Sequence, residues 1–143
     1  MIHKANSDNS LQPGPSLETI RDQHRHIFEL FERYLATPAD SRRVIVDEIL
    51  QRLMSHLKSE ESQFYITLRQ TGPRGVGLVE AALSEHEEII AMIEEIQNSE
   101  TDDDQALDEF FEDMMQTVRM HFEVEEREMF PIKPDLQTRP DHS

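Results

Sequence analysis

The sequence predicts an all-α chain: an antiparallel, up-down-up-down four-helix bundle with a flexible N-terminal lead-in. Three observations predict it. Apolar residues recur at steps of three and four along four separate segments, which places each set on one helical face. Breakers divide the segments at Thr37-Pro38, at Thr71-Gly72-Pro73 and from Asn98 to Thr101, and Pro131 closes the last. Connections this short make consecutive helices antiparallel neighbours. Strands have no support.

Residues 1–16 contain "NSDNSLQPGP" and almost nothing to bury, so they are expected to be a flexible segment. The first helix is expected from about Leu17 to Ala36 with Ser16 as N-cap, and its apolar face reads Leu17, Ile20, His24, Ile27, Phe31, Leu35. The second, about Ser41 to Gln70 after Asp40, reads Val46, Ile49, Leu53, His56, Glu60, Phe64, Leu68, with Gly72 at its end. The third, about Gly75 to Gln97, is weakened at its start by Gly75 and Gly77 and reads Val79, Ala82, His86, Ile89, Ile93, Ile96. The fourth, about Asp102 to Phe130 after Thr101 as cap, reads Leu107, Phe110, Met114, Val118, His121, Glu125, Met129. The helical domain is set at 17–132 and a C-terminal tail at 133–143.

Composition removes several function classes. Thirty acidic residues against 14 basic give a formal charge of −16, which repels phosphate backbones and anionic lipid heads; neither nucleic acid nor a membrane surface is an expected partner. With no cysteine, disulfides, thiolate zinc, iron–sulfur ligation and cysteine nucleophiles are all excluded, so any metal must be held by nitrogen and oxygen. The amino terminus lacks the apolar run of a leader, and nothing approaches a membrane span, so the expected location is cytoplasmic.

Each apolar face carries one histidine, and the second and fourth add a glutamate one turn later. The halves also repeat. Aligning His24 with His86 matches apolar residues at +3, +4, +6 and +7, and aligning His56 with His121 superposes "HLKSEESQFY" on "HFEVEEREMF". A single buried histidine is usually a hydrogen-bonded core residue, and a single buried glutamate usually has an arginine partner. Four histidines and two glutamates facing one another are different, because no core-facing Lys or Arg neutralises the carboxylates and their desolvation would cost several kcal/mol. A bound cation pair resolves this. Four imidazoles and two bridging carboxylates give each of two metals two nitrogens and two oxygens; a bridging oxide or hydroxide adds a fifth donor and leaves one open position. That donor set suits non-haem iron first, manganese second and zinc third.

The series His24, His56-x-x-x-Glu60, His86, His121-x-x-x-Glu125, ending in "EEREMFP", resembles the H…HxxxE…H…HxxxE signature of hemerythrin-like (HHE cation-binding) proteins over about Leu17 to Ile132. The resemblance implies a four-helix bundle holding two iron ions (Fe2+/Fe3+), with His24, His56, Glu60, His86, His121 and Glu125 as ligands, Glu60 and Glu125 bridging, and an oxo or hydroxo bridge. One departure matters. Oxygen-carrying members place a fifth histidine on the third helix, four residues from the first, and here those positions are Ile90 and Ala82. His26 is no substitute, since it lies about 200° round the helix from His24. The iron nearest the third helix is therefore expected to be open, bounded by Ile89, Ile90 and Ile93.

Other residues take plainer readings. Glu61 and Glu126 follow the ligands in both halves and are expected to be solvated in preference to orienting a ligand histidine. Tyr65 is expected to pack at a helix interface in preference to serving a bridging ligand, Asp102 to Asp104 to open a helix, and Met114, Met115 and Met120 to fill the core or interfaces. The function expected is binding or sensing of O2 or NO at an open iron site, with an electron-transfer partner. The alternative is a di-iron redox enzyme for iron–sulfur cluster repair or for peroxide and NO detoxification. Repair proteins of that pattern usually add a cysteine-containing domain, and this sequence contains no cysteine. A third reading is a module in which iron controls folding and partner binding.

Overall fold

The computed structural model describes residues 16–100 and 103–132; the lead-in before Ser16, the Thr101 cap, the tail from 133, His3 and His142 lie outside the described residues. All regular structure among them is helical, with no strand. Helix α1 spans Leu17–Leu35, and the Ser16 hydroxyl accepts from the Thr19 backbone N–H at 3.0 Å, the cap its sequence calls for. A short 3-10 turn, Ala39–Ser41, replaces the expected first turn of the second helix. The rod α2 then runs over 43–69 as an α-helix Arg43–Ser59, a π turn Glu60–Phe64 and an α-helix Tyr65–Arg69. Helix α3 is Pro73–Gln97. The rod α4 covers 104–129, α-helical over Asp104–Val124 and π over Glu125–Met129, and it is capped by Asp103, whose carboxylate accepts from the Ala106 N–H at 3.1 Å.

The turn between α2 and α3 depends on two glycines. Gly72 has φ of +133°, a region L side chains rarely adopt, and Pro73 starts α3 where a missing N–H is harmless. A Cβ on Gly75 would stand 2.2 Å from the Leu68 carbonyl oxygen, so hydrogen at this position lets the start of α3 press against the end of α2.

Two apolar clusters fill the interior. The larger joins Ile27, Leu30, Phe31 and Tyr34 with Ile49, Leu53, Leu57, Ile89, Ile93, Phe111, Val118 and Phe122. The smaller joins Ile20, Phe64, Tyr65, Leu68, Val79, Ala82, Met129 and Phe130. Along α1 and α3 the chain passes from the smaller cluster through a histidine to the larger, and along α2 and α4 it passes the other way. The four faces follow the sequence, with Leu17 and Leu107 only partly buried and two further residues displaced by their neighbours. Leu35 is half exposed because Tyr34 takes the inward position, under the Arg42 guanidinium, and Phe111 replaces Phe110 as the fully buried residue of its turn. Met114 and Met115 are buried, whereas Met120 is exposed. No helix among the described residues is long and apolar enough to cross a membrane.

Gly75→Ala is expected to destabilise the fold by about 1–3 kcal/mol through overpacking against Leu68. Gly77→Ala, which meets open space in the same helix, should stabilise by about 0.5–1 kcal/mol. Urea unfolding midpoints check the pair, and equal effects would show that the close approach at Gly75 is misread.

Candidate metal centre

The six histidines and glutamates of the repeated pattern meet in the belt between the two clusters, all buried, with exposures from 0% to 4%. Helical periodicity accounts for it: His56 and Glu60, like His121 and Glu125, are one turn apart on one face. They form two groups, His24/His56/Glu60/Glu125 and Glu60/His86/His121/Glu125, and in each group the four ligand atoms lie within 4.8 Å of one another. Both glutamates belong to both groups, one oxygen turned to each.

The ligand atoms are spaced as a cation would need them. His24 Nε2 lies 3.1 Å from Glu125 Oε1, His56 Nε2 3.1 Å from Glu60 Oε2, and His86 Nε2 3.0 Å from His121 Nε2. Donors about 2.1 Å from one metal in octahedral geometry are separated by about 3 Å along each edge. In the first group His24 Nε2, His56 Nε2, Glu60 Oε2 and Glu125 Oε1 are all buried without a hydrogen bond, although oppositely charged partners stand close. Buried polar atoms left so are costly, and a cation between them would satisfy all four at once. The residues present therefore fit a metal pair.

Each imidazole is oriented from behind. His24 Nδ1–H donates to Glu126 at 2.7 Å, His86 to Glu61 at 2.8 Å, His121 to Glu85 at 2.6 Å and His56 to the Gln23 amide oxygen at 2.5 Å. This fixes each ring with its Nε2 lone pair turned inward. The expectation that Glu61 and Glu126 are simply solvated is corrected: each bonds the single histidine of the other half of the repeat. Glu85 and Gln23 were not singled out from sequence. Their signal lay in the repeat itself, since each precedes a single histidine and the two align.

Tyr65 is also corrected. Its hydroxyl donates to Glu125 Oε2 at 2.5 Å and lies 3.0 Å from His86 Nε2, 3.3 Å from Glu60 Oε1 and 3.5 Å from His121 Nε2, inside the second group. In a regular α-helix Tyr65 would point about 140° away from Glu60. The π turn changes that: Tyr65 N–H bonds the Glu60 carbonyl five residues back, so residues i and i+5 share a face. The same turn follows Glu125, where Phe130 N–H bonds the Glu125 carbonyl at 3.1 Å, and it brings Phe130 to 6.4 Å from the His24 ring. Tyr65 and Phe130 are thus repeat equivalents, one bearing a hydroxyl and one not. Ile89 and Ile93 are buried in the larger cluster with Ile90 packed against it, and the hydroxyl at the position beside α3 is that of Tyr65. His26 stands apart from the six, its side chain 44% exposed.

Electrostatics of the belt are set by mutual neutralisation. Burial by itself lowers the pKa of His24, but the Glu125 and Glu60 carboxylates outweigh it and raise the value to about 9. Burial likewise opposes, and Glu125 and Glu85 more than restore, His121, which also reaches about 9. Burial would raise Glu60, yet the adjacent His56 and the surrounding hydrogen bonds hold it well below the usual carboxylate range. Tyr65 is pushed well above an ordinary phenol by burial and by both glutamates.

Compared with known proteins, residues 16–132 match the family model described as the hemerythrin HHE cation-binding domain. No curated protein and no solved structure matches the chain.

The raised histidines give metal-stripped protein a distinctive pH response. A histidine whose folded pKa exceeds its unfolded value of about 6.5 stabilises fully below that value and loses the contribution as pH rises through about 9. Stripped protein should therefore lose stability, on the order of a few kcal/mol, between those limits. Metal-loaded protein should weaken in the acid direction instead, as protons compete for the imidazoles. Urea midpoints across the range test both signs, and stripped protein that gains stability toward pH 9 would contradict the assignment.

Proposed function

The chain belongs to the hemerythrin HHE cation-binding family, and from that premise we propose that it is a non-haem di-iron protein that binds or senses O2 or NO at an open iron position. One observation carries the reading: two four-residue groups share Glu60 and Glu125, so a single pair of carboxylates serves two metal positions. The six residues are the ligands, with an oxide or hydroxide as the further bridge. Iron is favoured because imidazole and carboxylate with an open position suit it better than zinc. The alternating passage of the helices between the two apolar clusters supports the up-down-up-down bundle. Bound iron would supply the affinity for a diatomic ligand. The chain's own residues orient the four rings, exclude bulk water with Phe122 and Phe130 beside His24, and place a phenol at one side.

Tyr65 favours a second reading, a redox enzyme acting on peroxide or NO with an electron-transfer partner, because a buried hydroxyl beside the ligands is a proton source that simple binding does not require. Anaerobic ferrous loading, metal analysis, and spectra after O2 and separately after NO test the proposal. Two irons per chain and a spectral response to at least one gas are expected. Saturation at one metal, preference for zinc with iron in excess, or indifference to both gases would overturn it. Glu60→Ala and Glu125→Ala should each fall below two irons, since each carboxylate serves both positions. Tyr65→Phe separates the readings: gas binding should persist, whereas turnover of peroxide or NO should drop if the enzyme reading holds.

A further inference from the structure

The two metal positions are built from equivalent halves, yet the repeat breaks at two places, and both breaks fall on the same position. Behind the histidines the pattern is carboxylate at His24, His86 and His121, but a neutral amide, Gln23, at His56, where the repeat equivalent is Glu85. A carboxylate acceptor makes an imidazole a stronger donor than an amide does. Beside the ligands, the group of His86 and His121 has the Tyr65 hydroxyl, whereas the repeat equivalent next to His24 is Phe130, which offers no donor. The position between His24 and His56 therefore has the less electron-rich imidazole, the one backed by an amide, and has no hydroxyl beside it.

A third observation is independent of the repeat. A cavity of about 520 Å³ opens between α1 and α2, and Gln23 and His56 form part of its wall with Asp22, Gln51, Ser55 and Ser59. Arg52, in the same wall, is held by Glu48 at 3.2 Å. Of the six ligand candidates, His56 lies in that wall, so the first position is separated from the cavity by one imidazole and the amide that steadies it.

Resting on the di-iron reading, we propose that the two positions differ in a fixed sense: the one between His24 and His56 is the exchangeable position, reached through the α1/α2 cavity, and Gln23 is the positioning residue that makes it so. The position between His86 and His121 is the permanent one. Side chains with oxygen acceptors along the cavity suit passage of a hydrated ferrous ion, and the amide behind His56 lets that ring turn outward more readily than a carboxylate would.

The test is release of iron from ferrous-loaded protein to a colorimetric ferrous chelator. Two phases of equal amplitude are expected. Gln23→Glu should slow the fast phase about tenfold with iron content held at two, the scale on which such outer partners act. Glu85→Gln should quicken the slow phase by a similar factor. Gln51→Trp, which narrows the cavity away from every ligand, should slow the fast phase without changing iron content at saturation. A single release rate with two irons bound, or a fast phase unmoved by Gln23→Glu, overturns this inference and leaves the di-iron reading standing. Saturation at one iron instead overturns the di-iron reading on which it rests.

Discussion

Everything in this fold is arranged around two carboxylates that cannot stay where they are unless positive charge joins them. Glu60 and Glu125 are at most 1% exposed, and three further carboxylates, Glu61, Glu85 and Glu126, back the histidines. Against five negative charges the belt supplies four imidazoles, and Arg21, 3.7 Å from Glu126, is the cation at its edge. With neutral imidazoles, two divalent ions and Arg21 balance the five. Without ions the carboxylates draw protons onto the belt, which is what the raised pKa values of His24 and His121 express. Protons and metal ions are therefore alternative answers to one electrostatic demand, since both bring positive charge to the same imidazole and carboxylate atoms.

That demand explains the division of the core. A single apolar interior would leave nowhere for six polar groups; two clusters leave a belt between them, and each helix crosses it once. The stacking of the His24 ring on Phe122 at 3.7 Å and the edge contact of His56 with the same ring at 5.2 Å tie the ligands into the larger cluster. Apolar packing holds the rings in place while the outer acceptors set their rotation, so the metal-binding geometry is held from two sides by different forces.

The HxxxE pairs were legible from sequence because an α-helix obeys a fixed step, and His56 with Glu60 or His121 with Glu125 needs nothing else to converge. The family was legible for the same reason, since order and spacing survive without coordinates. What depends on a departure from that step was not. Tyr65 lies off the ligand face at 3.6 residues per turn and comes onto it only through the π turn, which no residue in "EESQF" announces. Glu61 and Glu126 looked like solvated neighbours because their partners sit on other helices, 25 and 102 residues away. Leu35 yielded its place to Tyr34 through the Arg42 contact across a turn, again a tertiary matter.

A duplicated helix pair explains both the symmetry of the site and the limits of that symmetry. The shared glutamates are the repeat's constraint: each half contributes one, and neither half alone completes a group of four, because each group draws both histidines from one half and one carboxylate from the other. Changing either glutamate therefore alters both groups at once. The outer residues are under no such constraint. Gln23 and Glu85 each back one histidine of one group, and Tyr65 faces the second group where its counterpart Phe130 stands beside His24. Difference between the two groups can accumulate in those residues without loss of the shared carboxylates, because neither Gln23 nor Phe130 belongs to either set of four.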